Sequence, residues 1–394
     1  MSITKKRVLE NVNLVVYLPL SHAPNKKIMS QGILITASKV ATPFKSELLS
    51  ALASPRFSSR PPHLVGILAT KKEDARTYAE FTKKACETLG ITYELRLVGE
   101  AREGMDGEGV GIEVEEAILE ANEDPDVDGM MVYYPIYGGR QDQYLQSVVS
   151  PQKDVEGLNH QFLFNLYHNV RFINPLTLRP IPASHLPEPL PSKSGNNSKD
   201  EDVAPEGTVK SILPCTPLAI VKVLEHIGVY NKLLAYGDRA RGKVITIINR
   251  SEVVGRPLAA LLANDGARVI SVDLDSIVEF SKRPSKSVEG KKSSASPHHI
   301  TTPLPDMTLH KALSFSDVVI SAVPVDSFKV PTKELKDGCV CVNVAGEKNF
   351  EADVRDRASI YVPSVGVMTI TMLQRNLLRL CEYRDMIKKQ EASL

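Results

Sequence analysis

The chain has 394 residues, which at roughly 100–200 residues per domain corresponds to two or three domains. Hydrophobic residues make up 42% of the sequence and charged residues 24%, a globular composition that excludes a wholly disordered chain. The formal net charge of +1 gives no overall attraction for nucleic acid or an anionic membrane. No apolar run approaches the roughly 20 residues needed to span a bilayer. We therefore expect a soluble protein that binds a small or neutral partner.

The first residues resemble a targeting signal only in part. Three basic residues at positions 5–7 precede an apolar stretch at 13–20, which is the order found in cleavable leaders. Glu10 interrupts the basic part, and Pro19 interrupts the apolar part. We therefore favour an unstructured extension that ends near Met29, and a cytoplasmic location.

Short β-branched runs alternate with longer amphipathic segments, which is the pattern of βαβ units around a parallel sheet. This pattern predicts an α/β protein whose strands fall into two groups and therefore into two domains. An amphipathic helical pattern over 368–389 closes the chain and could return to the first domain. The predicted strands span residues 63–69, 91–98, 128–134, 243–249, 267–273, 317–324, 339–345 and 360–363.

Two stretches have a low-complexity composition. Residues 182–207 are rich in Pro, Ser, Asn and charge, and they cannot bury enough apolar surface to offset the entropy lost on ordering. We predict a disordered insertion there. Residues 281–305 have the same character but interrupt the second group of strands, so we predict a surface loop. His298 and His299 lie in this loop and are expected to be solvated.

The five cysteines show neither a Cys-x-x-Cys pair nor a histidine spacing typical of zinc sites. We expect buried, reduced thiols and no metal site. Cys339 and Cys341 lie two residues apart on a predicted strand, so they should share one face of it.

The clearest ligand signal is the segment 243–262, where a buried strand runs into a polar turn, then Gly255, then an Ala- and Leu-rich helix. Backbone N–H groups at such a helix start can face an anion. The next strand ends in Asp273, 18 residues after that glycine, a spacing at which a carboxylate accepts hydrogen bonds from a ribose. This predicts a Rossmann-type site for NAD, because a carboxylate at the ribose repels a 2′-phosphate.

Two features of the same segment keep an alternative open. Asn249 stands where a first glycine is often found, although asparagine tolerates a positive φ better than most residues. Arg250, Arg256 and Arg268 are close enough in sequence to pair with a phosphate. NADP therefore remains the alternative cofactor.

A second candidate site lies in the first group of strands. Residues 74–90 form a helical pattern with a glycine stop, and Tyr78 and Thr82 share one face of it. Aromatic rings at the carboxyl end of a strand suit a flat heteroaromatic ligand, although such rings also pack protein cores. The strand ending at residue 134 runs into three tyrosines that flank a proline: Tyr133, Tyr134 and Tyr137.

Five motifs of this sequence point to a known family. They are the helix with Tyr78, Lys153-Asp-Val-Glu-Gly157, Leu213-Pro-Cys-Thr-Pro217, Asn249-Arg-Ser-Glu-Val-Val-Gly-Arg-Pro257 and Val362-Pro-Ser-Val-Gly-Val-Met-Thr369. With these motifs the sequence resembles the methylenetetrahydrofolate dehydrogenase/cyclohydrolase family over about residues 31–380. The resemblance implies a folate cleft between an N-terminal α/β catalytic domain and a C-terminal Rossmann domain, in a homodimer. It assigns residues 30–180 and a helix at 367–390 to the folate-binding domain, and residues 208–366 to the NAD-binding domain.

Three departures from the family pattern bear on the reaction. Where bifunctional members carry a lysine, a glutamine and an aspartate, this chain has Thr82, Tyr133 and Glu156. Hydrolysis of a methenyl bridge needs a directed water and a group that manages its proton, and threonine does not titrate near neutral pH. With Thr82, Tyr133 and Asp273 together, the sequence resembles the monofunctional, NAD-specific fungal branch, which oxidises 5,10-methylenetetrahydrofolate without cyclohydrolase activity. An NADP-dependent bifunctional enzyme and an inactive folate- or nucleotide-binding protein are the alternatives.

The resemblance also implies roles for individual residues. Tyr78 is expected to orient the pterin ring, Tyr133 to fill the place of the glutamine, and Glu156 to hold a pterin nitrogen or a hydrogen bond within the first domain. The catalytic candidates are Tyr78, Thr82, Tyr133 and Glu156. The substrate-binding candidates are Tyr134, Asp154, Cys215 and Pro363. The cofactor-binding candidates are Asn249, Arg250, Ser251, Val254, Gly255, Arg256, Asp273, Val323 and Ala345.

Overall fold

The structure is a computed structural model that describes residues 31–102, 110–181, 203–282 and 298–392. The predicted N-terminal extension lies outside the described residues. The same holds for the predicted insertion, except residues 203–207, and for residues 283–297 of the predicted surface loop.

Helices and strands alternate along most of the described chain. The helices are α1 (Ala37–Leu52), α2 (Pro55–Ser58), α3 (Glu73–Thr88), α4 (Val110–Glu123), α5 (Gly139–Val148), α6 (His160–Tyr167), α7 (Cys215–His226), α8 (Gly255–Asn264), α9 (Leu309–Phe315) and α10 (Gly366–Glu391). The strands are β1 (Ile33–Leu34), β2 (His63–Leu68), β3 (Thr92–Leu97), β4 (Gly129–Val132), β5 (Phe172–Ile173), β6 (Val209–Lys210), β7 (Val244–Ile248), β8 (Arg268–Val272), β9 (Ile277–Lys282), β10 (His299–Pro303), β11 (Val318–Ser321), β12 (Val340–Asn343) and β13 (Ile360–Val362).

The larger sheet has eight strands in the order β1-β13-β12-β11-β7-β8-β9-β10. Neighbours from β1 through β8 are parallel, and β9 and β10 extend the sheet with antiparallel pairing. A smaller parallel sheet has the order β3-β2-β4, and β5 pairs with β6. The eight predicted strands are all present, because buried parallel strands read as continuous apolar runs.

The β9–β10 hairpin shows that the prediction of a loop over 281–305 was wrong at both ends. The expectation that His298 and His299 are solvated was also wrong, because both are partly buried. The His299 N–H donates to Asn264 Oδ1 at 2.8 Å, and its ring stacks on Phe280 with 5.4 Å between centroids. A strand at a sheet edge needs few apolar residues, so composition alone concealed β10.

The two-residue strand β1 attaches the start of the described chain to the edge of the large sheet, beside β13. Gly32 precedes it and exchanges two hydrogen bonds with Arg355: Gly32 N–H donates to the Arg355 carbonyl at 2.8 Å, and Arg355 Nε donates to the Gly32 carbonyl at 2.7 Å. A Cβ at Gly32 would lie 1.8 Å from the Ala358 carbonyl oxygen. The close backbone approach therefore requires glycine.

The long helix α10 packs against α1, α3 and α7. Asn376 of α10 donates through Nδ2 to the Val155 carbonyl at 2.9 Å and to the Leu213 carbonyl at 3.0 Å. One side chain thus holds the loop between α5 and α6 and the loop before α7 together. The exact domain boundaries stay a prediction.

The cysteines agree with their prediction, since all five are buried free thiols. Cys339 and Cys341 share one face, with their Sγ atoms 3.7 Å apart. Within the described ranges, each helix is too short or too polar to cross a membrane.

We expect Gly32→Ala to lower the free energy of unfolding by about 1–3 kcal/mol, because the new methyl group overlaps the Ala358 carbonyl. Denaturant titration measures the change. Gly346→Ala is the matched control, since an added Cβ there meets no atom within 4 Å. Equal stability of the two variants would contradict the prediction.

Candidate active site

Helix α3 places Tyr78 and Thr82 on one face, as predicted, and the chain turns at Gly90 with a φ of +80°. Thr82 is fully buried, and its hydroxyl donates to the Tyr78 carbonyl at 2.8 Å. The Tyr78 ring meets the Tyr133 ring edge-on, with centroids 6.1 Å apart and planes at 85°. Three of the four catalytic candidates therefore lie together.

Tyr133 is held by a second tyrosine that the sequence analysis missed. The hydroxyls of Tyr93 and Tyr133 are 2.7 Å apart and buried. Burial raises the pKa of Tyr133 to about 12, although hydrogen bonds with Tyr93 and Thr82 oppose the shift. A Cβ at Gly66 would lie 2.1 Å from the Tyr93 hydroxyl, so that glycine makes room for the pair. Tyr93 has no distinguishing sequence context, because its partner is on another strand.

Asp154 lies beneath the site. Its carboxylate accepts hydrogen bonds from the N–H groups of Glu156 at 3.1 Å, Gly157 at 2.9 Å and Asn159 at 2.7 Å, and the residue is only 3% exposed. These contacts stabilise the turn of the loop. The predicted contact of Asp154 with substrate stays a prediction.

Glu156, on the same loop, faces the tyrosines. Its Oε2 accepts a hydrogen bond from the Val132 N–H at 2.9 Å. Burial raises the pKa of this carboxyl to about 8, and the charge of Asp154 adds to the increase. Glu156 is therefore mainly protonated at neutral pH, a state in which a carboxyl group can donate a hydrogen bond. It lies close enough to Tyr78 and Tyr133 to raise the pKa of each hydroxyl.

Cys215 begins α7 and closes the site from the other side. Its N–H donates to the Glu156 carbonyl at 3.0 Å. Burial raises the pKa of its thiol, so the group is uncharged and unreactive. Pro363, also predicted to bind substrate, is partly buried in the segment between β13 and α10.

The loop after β4 begins with Tyr134, which is joined to Pro135 by a cis peptide bond. The buried Tyr134 hydroxyl has no hydrogen-bond partner among the described residues. Asp142 holds the rest of the loop by accepting from the N–H groups of Ile136 at 3.1 Å and Tyr137 at 2.9 Å. Asp142 is a second positioning residue that the sequence analysis missed.

The cofactor segment has the predicted strand–turn–helix form. Asn249 adopts a φ of +81°, as expected of a residue in a glycine position, and its Nδ2 donates to the Ala322 carbonyl at 2.6 Å. A Cβ at Gly255 would lie 2.0 Å from the Asn249 carbonyl oxygen. The Ser251 hydroxyl accepts from the N–H groups of Val254 at 3.2 Å and Gly255 at 3.4 Å, which organises the start of α8.

A cavity of about 1020 Å³ opens at the carboxyl ends of β7, β8 and β11. Open α/β sheets bind ligands at this edge. Asn249, Asp273 and Val323 line the cavity, and so does Leu274, whose side chain is 98% exposed. The cavity therefore offers volume, the exposed side chain of Leu274 and the carboxylate of Asp273. These features fit the adenosine part of a dinucleotide.

Two asparagines that the sequence analysis missed hold the segments that follow β11 and β12. Asn349 accepts from the Val323 N–H at 3.0 Å and donates to the Val323 carbonyl at 2.9 Å. Asn343 donates to the Ala345 carbonyl at 2.9 Å. Val323 and Ala345 are thereby fixed at the carboxyl edge of the sheet.

The three arginines considered for a phosphate all contact the protein. Arg256 pairs with Glu252 at 2.9 Å, and Arg268 pairs with Glu279 at 2.7 Å. Arg250 donates to the carbonyl and the hydroxyl of Ser276. Among the residues that the structure covers, no three His, Cys, Asp or Glu side chains are grouped to hold a metal ion.

Comparison with known proteins finds matches in both parts of the chain. Residues 35–156 match the family model described as tetrahydrofolate dehydrogenase/cyclohydrolase, catalytic domain, and residues 214–283 match its NAD(P)-binding domain. Over 351 residues the chain is 43% identical to methylenetetrahydrofolate dehydrogenase [NAD(+)] of Schizosaccharomyces pombe, which covers 89% of this chain and 93% of that one. The chain belongs to the tetrahydrofolate dehydrogenase/cyclohydrolase family.

A second family member, methylenetetrahydrofolate dehydrogenase [NAD(+)] of Saccharomyces cerevisiae, is 43% identical over 91% of this chain and 99% of its own. The solved structure of the NAD-dependent 5,10-methylenetetrahydrofolate dehydrogenase from Saccharomyces cerevisiae matches with a TM-score of 0.74 at 42% identity, covering 91% of this chain and 99% of that chain. The family resemblance and the two-domain α/β fold are confirmed.

We expect the buried carboxyl of Glu156 to make stability depend on pH. Its pKa is raised from 4.5 to about 8 in the folded state, so the unfolded chain ionises first. The contribution of this group to the free energy of unfolding is complete below pH 4.5 and is lost as the pH rises to about 8.

Glu156→Gln keeps an acceptor for the Val132 N–H but cannot ionise, so it should reduce this loss of stability. Denaturant titrations between pH 4.5 and about 8 measure the free energy of unfolding of each variant. Glu116→Gln, at an exposed position on α4, is the control. Parallel pH profiles for Glu156→Gln and the unaltered chain would contradict the prediction.

Proposed function

We propose that this chain oxidises 5,10-methylenetetrahydrofolate to 5,10-methenyltetrahydrofolate with NAD and does not hydrolyse the product. The observation that carries the proposal is a buried cluster of three hydroxyl groups beside the Tyr78 ring. They belong to Thr82, Tyr133 and Tyr93. The NAD-dependent relatives, with 43% identity over most of the chain, support the same reaction.

The oxidation requires positioning more than acid–base chemistry. The methylene carbon of the substrate lies between two nitrogens, whose lone pairs stabilise the cation formed when hydride leaves. NAD, when bound, supplies the hydride acceptor. Tyr78 offers an aromatic face to the pterin ring, and the protonated carboxyl of Glu156 can donate a hydrogen bond to a ring nitrogen. Tyr133 and Cys215 are buried around them and limit the access of water.

The same residues are poorly suited to hydrolysis of the methenyl product. A base must take a proton from the attacking water, and the best base has a pKa near the working pH. Burial raises the pKa values of the Tyr78 and Tyr133 hydroxyls above their ordinary range, and Thr82 does not titrate. Glu156 is mainly protonated at neutral pH, so only a minor fraction of it is available as a base there.

The cofactor site favours NAD over NADP. Asp273 lines the cavity at the end of β8, where its carboxylate would repel a 2′-phosphate. Asn249, Ser251, Val254 and Gly255 form the turn that approaches the dinucleotide. We further propose a cytoplasmic homodimer, which is the arrangement implied by the family resemblance.

The direct test mixes the purified chain with 5,10-methylenetetrahydrofolate and either NAD or NADP. We expect NADH absorbance with NAD, a much weaker signal with NADP, and accumulation of the methenyl product. Absence of turnover with both cofactors would refute the dehydrogenase. Methenyl decay faster than in buffer would refute the absence of cyclohydrolase activity.

We expect Thr82→Lys to leave methenyl hydrolysis at the buffer rate. The new ammonium group would be buried against the hydroxyls of Tyr133 and Tyr93, which cannot replace the polar partners of a catalytic lysine. Thr82→Val, which removes the hydroxyl without adding charge, is the control for altered packing. Rapid hydrolysis by Thr82→Lys alone would contradict the prediction, because it would show that a lysine can act beside the Tyr133 and Tyr93 hydroxyls.

A further inference from the structure

We propose that Ser276 is a specificity-determining residue for the cofactor. Ser276 holds the Arg250 guanidinium on the turn that carries Asp273. The guanidinium is thereby kept away from the 2′-phosphate of NADP. The inference rests on the proposed function, since it concerns the same dinucleotide site.

The geometry joins two loops at the rim of the cavity. Arg250 follows Asn249 at the end of β7, and its Nη2 donates to the Ser276 carbonyl at 2.9 Å and to the Ser276 hydroxyl at 2.8 Å. The Ser276 carbonyl also accepts from the Asp273 N–H at 3.0 Å. Asn249, Asp273 and Ser276 all line the cavity. The link therefore crosses from the β7–α8 loop to the turn between β8 and β9.

Arg250 differs from the neighbouring arginines in the charge of its partner. Arg256 and Arg268 are each paired with a glutamate, which neutralises them locally. The acceptors of Arg250 on Ser276 are neutral, so the guanidinium keeps its full charge at the rim. Its buried Nε has no hydrogen-bond partner within the described residues. A charged group with an unused donor is suited to a phosphate once it is released.

Two obstacles therefore oppose a 2′-phosphate. The Asp273 carboxylate repels it, and the cation that could compensate must first give up its hydrogen bonds to Ser276. Removing one obstacle leaves the other in place. The two residues should consequently act together, with a combined effect larger than the product of the separate effects.

The test is a double-mutant cycle in the full chain with Asp273→Ser, Ser276→Ala and both together. Calorimetry gives the dissociation constants of ADP-ribose and 2′-phospho-ADP-ribose, and kcat/KM is measured with NAD and NADP. We expect each single change to shift the ratio of the two dissociation constants, and the ratio of the two kcat/KM values, toward the 2′-phosphorylated ligand by about threefold. Each change removes one charge or one hydrogen bond at a partly exposed site. The double variant should exceed the product of these shifts by about fivefold or more.

Ser276→Thr retains the hydroxyl and should keep the original preference, which separates loss of the hydrogen bond from disturbance of the turn. Arg250→Gln added to the double variant should abolish the gain, because the released cation produces it. Multiplicative single effects, or a gain that survives Arg250→Gln, would overturn the proposal.

Binding is read without turnover, so the two proposals can fail separately. A chain that binds ADP-ribose and shows the coupling but forms no NADH would refute the dehydrogenase and leave the role of Ser276 intact. A chain that turns over NAD without the coupling would refute the role of Ser276 alone. Failure of the unaltered chain to bind ADP-ribose would refute the cofactor site and this inference with it.

Discussion

The site depends on the place where the loop between α5 and α6 meets the loop before α7. The buried amide of Asn376 donates to one carbonyl of each loop, at Val155 and Leu213, and the Cys215 N–H donates to the Glu156 carbonyl. A Cβ at Gly157 would lie 2.6 Å from the Leu213 carbonyl carbon, so the loops touch through their backbones. Buried backbone groups need such partners. Without this junction Glu156 would reach water, and its pKa would return toward that of an ordinary glutamate.

The buried hydroxyl groups between α3 and the small sheet bear on the chemistry that the first domain can perform. The hydroxyls of Tyr93 and Tyr133 satisfy each other at 2.7 Å, so they fill the space without bringing a charge into it. A buried lysine in this region would need acceptors and a counter-charge. The protein instead places uncharged hydroxyl groups there, which suits loss of hydride from a carbon whose adjacent nitrogens stabilise the product.

The features predicted correctly from the sequence are those whose cause is local. Asn249 takes a positive φ because the strand must turn at once into α8, and Gly255 is required by the carbonyl of the same turn. The features missed depend on distant partners. β1 exists because β13 offers an edge, β10 because β9 does, and Tyr93 matters because Tyr133 lies on another strand. Periodicity and composition carry no information about such pairings.

The structure separates the choice of reaction from the choice of cofactor. In the proposed function, uncharged groups between α3 and the small sheet oppose hydrolysis, whereas charge and hydrogen bonding at the end of β8 oppose a 2′-phosphate. Within the part of the chain that the structure describes, the two groups of residues share no hydrogen bond or ion pair, and effects at such separate sites usually add. A change at Thr82 should therefore leave the preference for NAD unaltered, and a change at Asp273 should leave methenyl hydrolysis unaltered. If the proposed function holds, the choice of reaction and the choice of cofactor can thus vary independently.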